Sequence, residues 1–429
     1  MRFGFLLLLC LCFLQGKSTL SGHLQSWMAW GIDRESGYHL ERDRWRVNFS
    51  HNYQRYRFYY SGELAYEVLG EPSLTALNRE LYLDVYGRSV DLRIGKQKVV
   101  WGLTEGLFLN DIINPRDDRY FLIQDLDDIR LGIFMVKLNW FAGDWELESV
   151  WVPRFLPGIS PRGKNPWTKK KPEWYDFGFP VHYRFMKEKL PEAKITNSEL
   201  GVRLKGRFNE TDVWFYTFKG YQGEPVFTFV KTDWSTDSLP DGTADSRAEV
   251  TVNTLYKPLT MMGIDLTRPV GLFVLKGEFG YFFDYAINGR PIPAINADPP
   301  SINSRIYYTD YFQVMGGFDV NGPPGIGITV QYIQKLLFDY REEMPVDRRE
   351  QWFSVSFNGL FLEGDGNTEV FVLCDLKKKA GMLKWENGFR FGAGVLVGLG
   401  LDLFWGKADN WIGQFDANDN LFVKLTYSF

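Results

Sequence analysis

The chain has 429 residues and a formal net charge of −4, and 17% of its residues are aromatic. This mild charge excludes a strongly basic nucleic-acid-binding protein, and no nucleic acid is expected as a partner. The length alone would allow two or three soluble domains, but the mean hydropathy is only −0.24. Many aromatic residues at low mean hydropathy indicate strands that each carry one apolar face and one polar face.

The N-terminus has the pattern of a secretory signal peptide. The Met1-Arg2 start is basic, Phe3–Leu14 is apolar, and Gly16 and Ser18 are the small residues that signal cleavage requires. We therefore predict that residues 1–18 are removed on export. The apolar run is shorter than the roughly 20 residues that a membrane-spanning helix needs. An exported chain without such helices is either soluble or a β-barrel.

Apolar and polar residues alternate along most of the remaining chain. In one segment Trp45 and Phe49 share one face, and Arg44 and Arg46 share the other, which is the two-residue period of a strand. Short turns alternate with long connections, as they do in bacterial outer-membrane barrels. The prediction is an all-β fold, a transmembrane antiparallel β-barrel of roughly 16–18 strands built from residues 19–429. Its predicted location is the bacterial outer membrane.

The last segment, Leu421–Phe429, also alternates and ends on an aromatic residue. Tyr427 and Leu425 share the face of Phe429. This pattern resembles the C-terminal signal of Gram-negative outer-membrane proteins. We therefore expect the barrel-assembly machinery to be a partner and Phe429 to be part of the assembly signal.

An irregular and charged segment, residues 101–131, separates two of the predicted strands. It carries seven acids and three arginines, and such charges between strands need water or a polar cavity. We predict that it folds into the lumen as an insert, where opposed acids and bases would select solutes by charge and size. The alternative is a surface loop whose charges are solvated. The pore-constriction candidates are Arg93, Lys96, Lys98, Trp101, Glu105, Asp111, Asn114, Arg116, Asp117, Asp118, Arg119, Asp125, Asp127, Asp128 and Arg130.

The strand before the insert contains two sets of residues of opposite parity. Lys96 and Lys98 lie on one face, and Arg93, Gln97 and Trp101 lie on the other. One of these sets is expected to face the lumen, since successive side chains of a strand point to opposite faces. A long lysine stem can still reach water past a wall residue.

The longest connection, Arg154–Asn197, carries ten bases against four acids. By the alternation of short and long connections it lies outside the cell, so we predict a long basic outer loop. Such a loop would meet lipopolysaccharide phosphates or attract anions to the mouth. The alternative is a solvated loop without a ligand. Outer-membrane lipid and lipopolysaccharide are accordingly expected partners.

No catalytic or cofactor-binding constellation stands out in the sequence. The four histidines lack the spacing of metal ligands, and the mature chain has a single cysteine, Cys374, so neither a zinc cluster nor an intrachain disulfide is expected. Asp125, Asp127 and Asp128 lack the glycine and the distal glutamate of a calcium loop. We predict that the protein is not an enzyme and binds no cofactor or metal.

Four short motifs around the insert resemble a known family. They are Arg93-Ile94-Gly95-Lys96-Gln97, Trp101-Gly102, Ile113-Asn114-Pro115-Arg116-Asp117 and Asp127-Asp128-Ile129-Arg130. The family is a poorly characterised group of proteobacterial outer-membrane β-barrels, porin-like and distantly similar to alginate-export barrels. One departure is Gly132, where the family pattern has proline. The resemblance implies an outer-membrane location, and it implies a lipid or hydrophobic cargo because some relatives accompany inner-membrane lipid exporters.

Two functions remain open from the sequence. The first is an outer-membrane channel or export porin that moves a solute or a lipid-like cargo, with an inner-membrane exporter as a further partner. The second is a non-transport surface or structural barrel that binds partners through its outer loops, with the insert as a plug. Ion conductance separates the two, since only a channel conducts.

Overall fold

The structure is a computed structural model that describes residues 16–33, 38–169, 181–238, 244–294 and 301–429. Most of the predicted signal peptide therefore lies outside the described residues. Lys17 and Ser18 are the first residues of strand β1, which spans Lys17–Gly31. Cleavage after Ser18 stays a prediction. Within the described ranges, the helices are all too short or too polar to cross a membrane.

Eighteen strands form one closed antiparallel sheet, because β1 pairs with both its neighbour in sequence and the last strand. The wall strands are β1, β2 (His39–Tyr53), β3 (Tyr56–Leu69), β4 (Glu71–Tyr86), β5 (Val90–Gln97), β6 (Ile133–Ala142), β7 (Trp145–Val152), β9 (Glu199–Phe208), β10 (Thr211–Tyr221), β13 (Pro258–Val270), β14 (Phe273–Asn288), β17 (Ile306–Asn321), β18 (Ile326–Leu337), β19 (Arg349–Phe361), β20 (Gly366–Asp375), β21 (Ala380–Phe391), β22 (Val395–Trp405) and β23 (Asn420–Ser428). The predicted transmembrane barrel of 16–18 strands is thereby confirmed.

The remaining elements lie in the connections between wall strands. They are β8 (Val181–Phe185), β11 (Val226–Ser238), β12 (Ala244–Leu255), β15 (Ile292–Ala294), β16 (Ser301–Asn303), the one-turn helix α1 (Leu126–Ile129) and the 3-10 turns Ile195–Asn197, Leu362–Gly364 and Gly413–Asn418. Strands β8, β11 and β12 form a separate three-stranded sheet around the buried Val250 and Val252. The sequence pattern did not separate them from wall strands, because both kinds of strand share the two-residue period.

The alternation along each wall strand separates a lipid-facing side from a lumenal side. On β2, Trp45 is 49% exposed, whereas Arg44 is 7% exposed. Large exposed apolar side chains follow the parity of Trp45 in the neighbouring strands, for example Leu24 opposite it on β1 and Leu64 on β3. The barrel therefore presents apolar residues to lipid and polar residues to its interior.

Both ends of the described chain lie at the end of the barrel that carries the short turns. Lys17 pairs opposite Asn52 beside the β2–β3 turn. Phe429 and Gly22 exchange two backbone hydrogen bonds of 3.0 and 3.1 Å, which extend the closing pair of strands by one residue. The long connections, including the insert between β5 and β6, lie at the opposite end.

Candidate functional site: the insert between β5 and β6

The insert leaves the wall and returns to it at the same place. β5 ends at Gln97, which lies opposite Ile133, the first residue of β6. The buried Asn114 side chain closes this neck. Its Oδ1 accepts a hydrogen bond from the Val99 amide at 2.7 Å, and its Nδ2 donates to the Leu131 carbonyl at 2.8 Å. An asparagine suits this position because its side chain offers both an acceptor and donors.

The parity of β5 decides which of its two predicted sets faces the lumen. Arg93 points inward, where its Nη2 donates to Asp84 Oδ2 on β4 at 3.1 Å. Lys96 lies on the outward face with Ile94, and its ammonium donates to the Asn78 carbonyl. Lys96 therefore does not line the lumen, contrary to the prediction, because its position in the strand alternates with that of Arg93.

Trp101 starts the first arm of the insert, residues 101–111, and is 1% exposed. Its Nε1 donates to Glu148 Oε1 on β7 at 2.7 Å, and its ring centroid lies 5.2 Å from that of Tyr216 on β10. The indole packs over Gly201 of β9, where an added Cβ would lie 2.8 Å from the ring. The glycine therefore makes room for the tryptophan, which fixes the start of the arm against the wall.

Glu278 on β14 holds the first arm by its backbone. Its Oε2 accepts hydrogen bonds from the amides of Leu103 and Thr104 at 2.7 and 2.8 Å and from the Thr104 hydroxyl at 2.7 Å. Its Oε1 accepts a hydrogen bond from the Asn110 amide at 3.0 Å. Gly102 permits this approach, because its φ is +88° and an added Cβ would lie 2.7 Å from Glu278 Oε1.

The tip of the first arm reaches the far side of the barrel at Glu105. Its Oε1 lies 3.4 Å from Lys276 Nζ on β14, and its Oε2 accepts a hydrogen bond from Ser356 Oγ on β19 at 3.1 Å. Its amide donates to Gln331 Oε1 on β18 at 3.1 Å. Since β19 lies half-way around the sheet from β5, the insert crosses the lumen.

Asp128 on α1 fastens the second arm of the insert, residues 125–131, to the near side of the barrel. Its carboxylate accepts hydrogen bonds from Arg46 at 2.7 Å and from Arg79 at 2.9 Å, and it also bonds Arg44. Asp128 is 5% exposed. Although burial alone would raise its pKa, the guanidinium groups of Arg44, Arg79 and Arg46 hold the pKa of Asp128 well below its usual range.

The other acids beside α1 are more open. Asp125 is exposed at the start of the helix, and the Asp127 side chain is 89% exposed, 3.5 Å from Arg130 Nη1. The Asp127 carbonyl accepts a hydrogen bond from Lys98 Nζ at 2.5 Å. Lys98 therefore helps to dock the second arm, while the carboxylates of Asp125 and Asp127 stay exposed.

The part of the insert between the two arms binds wall residues on its outer side. Arg119 pairs with Glu67 of β3 at 2.9 Å and with Asp117 at 2.7 Å. The Tyr120 hydroxyl also bonds Glu67. Asp117 is therefore neutralised within the insert, while Arg119 and Tyr120 share one wall carboxylate.

The long basic connection folds onto this outer side with its first part. The Asp118 amide donates to the Ile159 carbonyl at 2.8 Å. Trp167 is buried, and it stacks on Phe121 at 5.6 Å and packs against Phe415 at 5.2 Å. Burial raises the pKa of Asp118, which faces Arg116 at 3.5 Å. Two outer connections thus cover the insert from outside.

Asp111 and Arg130 pair where the two arms meet. Burial raises the pKa of Asp111, although the guanidinium of Arg130 opposes that shift. The same guanidinium lies 5.2 Å from the Phe108 ring centroid, and that of Arg116 lies 5.3 Å from it. This contact packs the arms against each other instead of against the wall.

The charged residues that hold the insert differ between the two sides of the lumen. The near side presents Arg44, Arg46 and Arg79, which pair with Asp128 of the insert and with Glu63 of β3. The far side presents the buried carboxylates of Glu278 and Asp265. Among the described residues, no group of three or more His, Cys, Asp or Glu side chains could hold a metal ion.

The wall residues that hold the insert were not among the predicted sites. Arg44 and Arg46 stand two residues apart and opposite in parity to Trp45, so the sequence did place them on the lumenal face. Glu278 stands two residues after Lys276 on β14, and two charged residues of one parity in a strand are a signal that could have marked this face as lumenal. The partner of each residue was not readable, because alternation gives the face of a strand but not its position around the barrel.

No family model matches the chain, and no curated protein matches it. Among solved structures it is similar to the Pseudomonas aeruginosa OccK5 (OpdH), with 9% identity and a TM-score of 0.52 over 97% of this chain and 98% of that one. It is also similar to the P. aeruginosa OpdK with vanillate, with 11% identity and a TM-score of 0.52 over 96% of this chain and 98% of that one. At these identities the likeness establishes architecture alone. The chain has the fold of outer-membrane porins.

Proposed function

We propose that this protein is an outer-membrane channel for solutes and that the insert forms its constriction. The observation that carries this proposal is the path of the insert from β5 to Ser356 on β19, half-way around the sheet. A segment that crosses the lumen and is fastened on both sides limits what can pass. The fold shared with porins supports an outer-membrane location and a transport role.

The lumenal side chains favour a polar solute over a lipid-like cargo. At the level of the insert they are arginines, carboxylates and amides, such as Arg44, Glu278 and Gln331, and they are buried between insert and wall. An apolar cargo would displace the hydrogen-bond partners of these polar groups without replacing them, which is unfavourable in free energy. A small hydrophilic solute replaces water at such groups more easily.

A specific observation favours the second function, a plugged surface barrel. The outer connections cover the insert, and Trp167 is 1% exposed between Phe121 and Phe415. A permanently closed lumen would leave the outer loops as the active surface. The basic charge of Arg154–Asn197 would then serve to bind anionic partners such as lipopolysaccharide.

Single-channel conductance in planar bilayers decides between the two functions. We expect the wild type to conduct weakly and a variant with residues 107–124 replaced by a short Gly-Ser linker to conduct much more. A matched variant that lacks residues 291–304, which include the outer hairpin β15–β16, should conduct like the wild type. Heat-modifiable migration on gels checks that each variant is folded.

The conductance measurements distinguish the constricted channel from the plugged barrel. A wild type that does not conduct, together with an insert deletion that conducts strongly, supports the plugged barrel. Equal conductance of the wild type and the insert deletion removes the constriction from the proposal.

The acids of the insert should differ in their effect on ion selectivity. Asp117 is paired with Arg119 and Asp118 with Arg116, so replacing both with Asn should change selectivity little. Asp125 and Asp127 are exposed, so replacing both with Asn should shift selectivity away from cations. Reversal potentials in a salt gradient measure both variants, and a larger shift from the first pair would contradict this assignment.

A further inference from the structure

Two carboxylates face each other on the lumenal side of the far wall. Asp265 on β13 lies opposite Glu278 on β14 in antiparallel register, and each is 2% exposed. Residues in such register have Cβ atoms about 4.5–5.5 Å apart. Among the described residues neither carboxylate lies within ion-pair distance of a lysine or arginine, and Arg203, which acts on Asp265 through space, pairs with Glu148. The wall thus holds two adjacent buried acids without a directly paired base.

The insert supplies most of the hydrogen-bond partners of this acid pair. Glu278 accepts the four hydrogen bonds from Leu103, Thr104 and Asn110 described above. Asp265 accepts a hydrogen bond from the Tyr216 hydroxyl at 2.7 Å, and that hydroxyl accepts one from Asn110 Nδ2. The Asn110 Oδ1 is buried without a hydrogen-bond partner. The insert therefore donates directly to Glu278 and reaches Asp265 through the Tyr216 hydroxyl.

The charged groups around the pair are engaged elsewhere. Lys276, the next lumenal residue on β14, pairs with Asp319 of β17 at 2.6 Å and with Glu105 of the insert at 3.4 Å. Arg203 of β9 pairs with Glu148 of β7 at 3.2 Å. On β17 and β18 the neutral side-chain amides of Gln313 and Gln331 donate hydrogen bonds to the carbonyls of Leu109 and Leu103 in the insert.

Two adjacent carboxylates in a buried site cannot both ionise without a large cost. Glu278 has four donors that favour its charged form, whereas the negative charge of the adjacent Asp265 favours protonation of Glu278. Protonating Glu278 would leave amide donors facing a carboxyl group that accepts weakly. The hold of Glu278 on the first arm therefore depends on its charge.

We propose that the Asp265–Glu278 pair is a proton-controlled clasp that keeps the first arm of the insert docked and releases it as the pH falls. The regulation rests on the proposed channel function of the insert. Release is one-sided, because Asp128 keeps its charge among its arginines and the second arm stays bound. A clasp governed by one proton changes the docked-to-released ratio by at most about tenfold per pH unit.

The test combines two readouts on the full chain, between about pH 8 and about pH 5. A nitroxide on Leu107→Cys, in a Cys374→Ser background, reports the mobility of the first arm, and single-channel recording reports conductance. We expect both to rise together as the pH falls. Glu278→Gln should show a mobile arm and high conductance across the whole range. Asp265→Asn should stay docked to lower pH, since Glu278 no longer has an acidic neighbour.

One further variant serves as a matched control for the clasp. Asp310→Asn removes an acid of the outward face of β17 that accepts a hydrogen bond from Tyr281. It should follow the wild-type curve. Label mobility that does not change with pH in the wild type, or an Asp265→Asn curve that coincides with it, overturns the clasp.

The label and the conductance also separate the clasp from the channel. A mobile arm at low pH without any conductance keeps the clasp and removes the channel function. A conducting channel with an immobile arm at every pH keeps the channel and removes the clasp. If Glu278→Gln does not fold, the curves of label mobility against pH for the wild type and Asp265→Asn still show whether the clasp exists.

Discussion

Asp128→Asn should release the second arm of the insert without unfolding the barrel. The carboxylate is 5% exposed and bonds Arg44, Arg46 and Arg79. Removing one partner from a buried ion pair costs about 3–5 kcal/mol, because the remaining charges stay buried and unpaired. The strand ladders of the wall do not involve this side chain. The cost should therefore appear as detachment of α1 and its flanking residues.

That cost converts into a measurable exchange rate. A loss of about 3–5 kcal/mol corresponds to about a 10²- to 10⁴-fold shift of the docking equilibrium. Hydrogen exchange followed by mass spectrometry should show faster exchange by that factor for the amides of Asp117 and Leu131, which bond Ile129 and Pro115. Wall amides should keep their protection.

Asp127→Asn is the matched control, since it changes the adjacent residue in the same way. The Asp127 side chain is 89% exposed, so its replacement should leave exchange in the insert unchanged. Insert amides that stay protected in Asp128→Asn, or wall amides that lose protection to the same extent, would contradict the role assigned to Asp128.

Three further predictions concern pH, backbone geometry and assembly. The folded pKa of Asp128 is depressed, so its stabilising contribution is complete above its unfolded pKa of about 3.9 and is lost as the pH falls through the lower folded value. The insert amides of Asp265→Asn should therefore stay protected from hydrogen exchange at pH 5. Gly102→Ala should loosen the first arm by about 1–3 kcal/mol, since φ is +88° and the new Cβ would meet Glu278; a spin label on the arm that stays immobile would contradict this. Deleting Phe429 removes two backbone hydrogen bonds to Gly22 and should lower the amount of heat-modifiable protein in the outer membrane, whereas wild-type amounts would argue against an assembly role.

The barrel could be predicted from the sequence because the alternation of apolar and polar residues is visible between neighbouring positions. Trp45 and Arg44 sit next to each other and differ in their preferred environment, and the same contrast recurs along many of the wall strands. The charged segment 101–131 could be placed in the lumen for a similar reason, since its acids and arginines suit neither lipid nor a strand.

The fastening of the insert could not be read from the sequence because its partners are distant in the chain. Glu278 lies 175 residues from Leu103, and nothing local fixes the rotation that brings them together. The position of Trp167 could not be predicted from the sequence either. Its connection is basic overall, yet this residue packs into the barrel mouth because Phe121 and Phe415 happen to meet there.

The central claim is that the insert crosses the lumen and limits conduction, and a cross-link between its tip and the far wall tests it most directly. Glu105 and Ser356 are in side-chain contact at 3.1 Å. Both should be replaced by cysteine in a Cys374→Ser background and treated with a short bifunctional thiol reagent in isolated outer membranes. We expect a specific intramolecular cross-link in the folded protein and, in bilayers, a conductance that stays low after cross-linking even at low pH. Failure to cross-link in folded protein, or an unchanged rise of conductance at low pH after complete cross-linking, would contradict it.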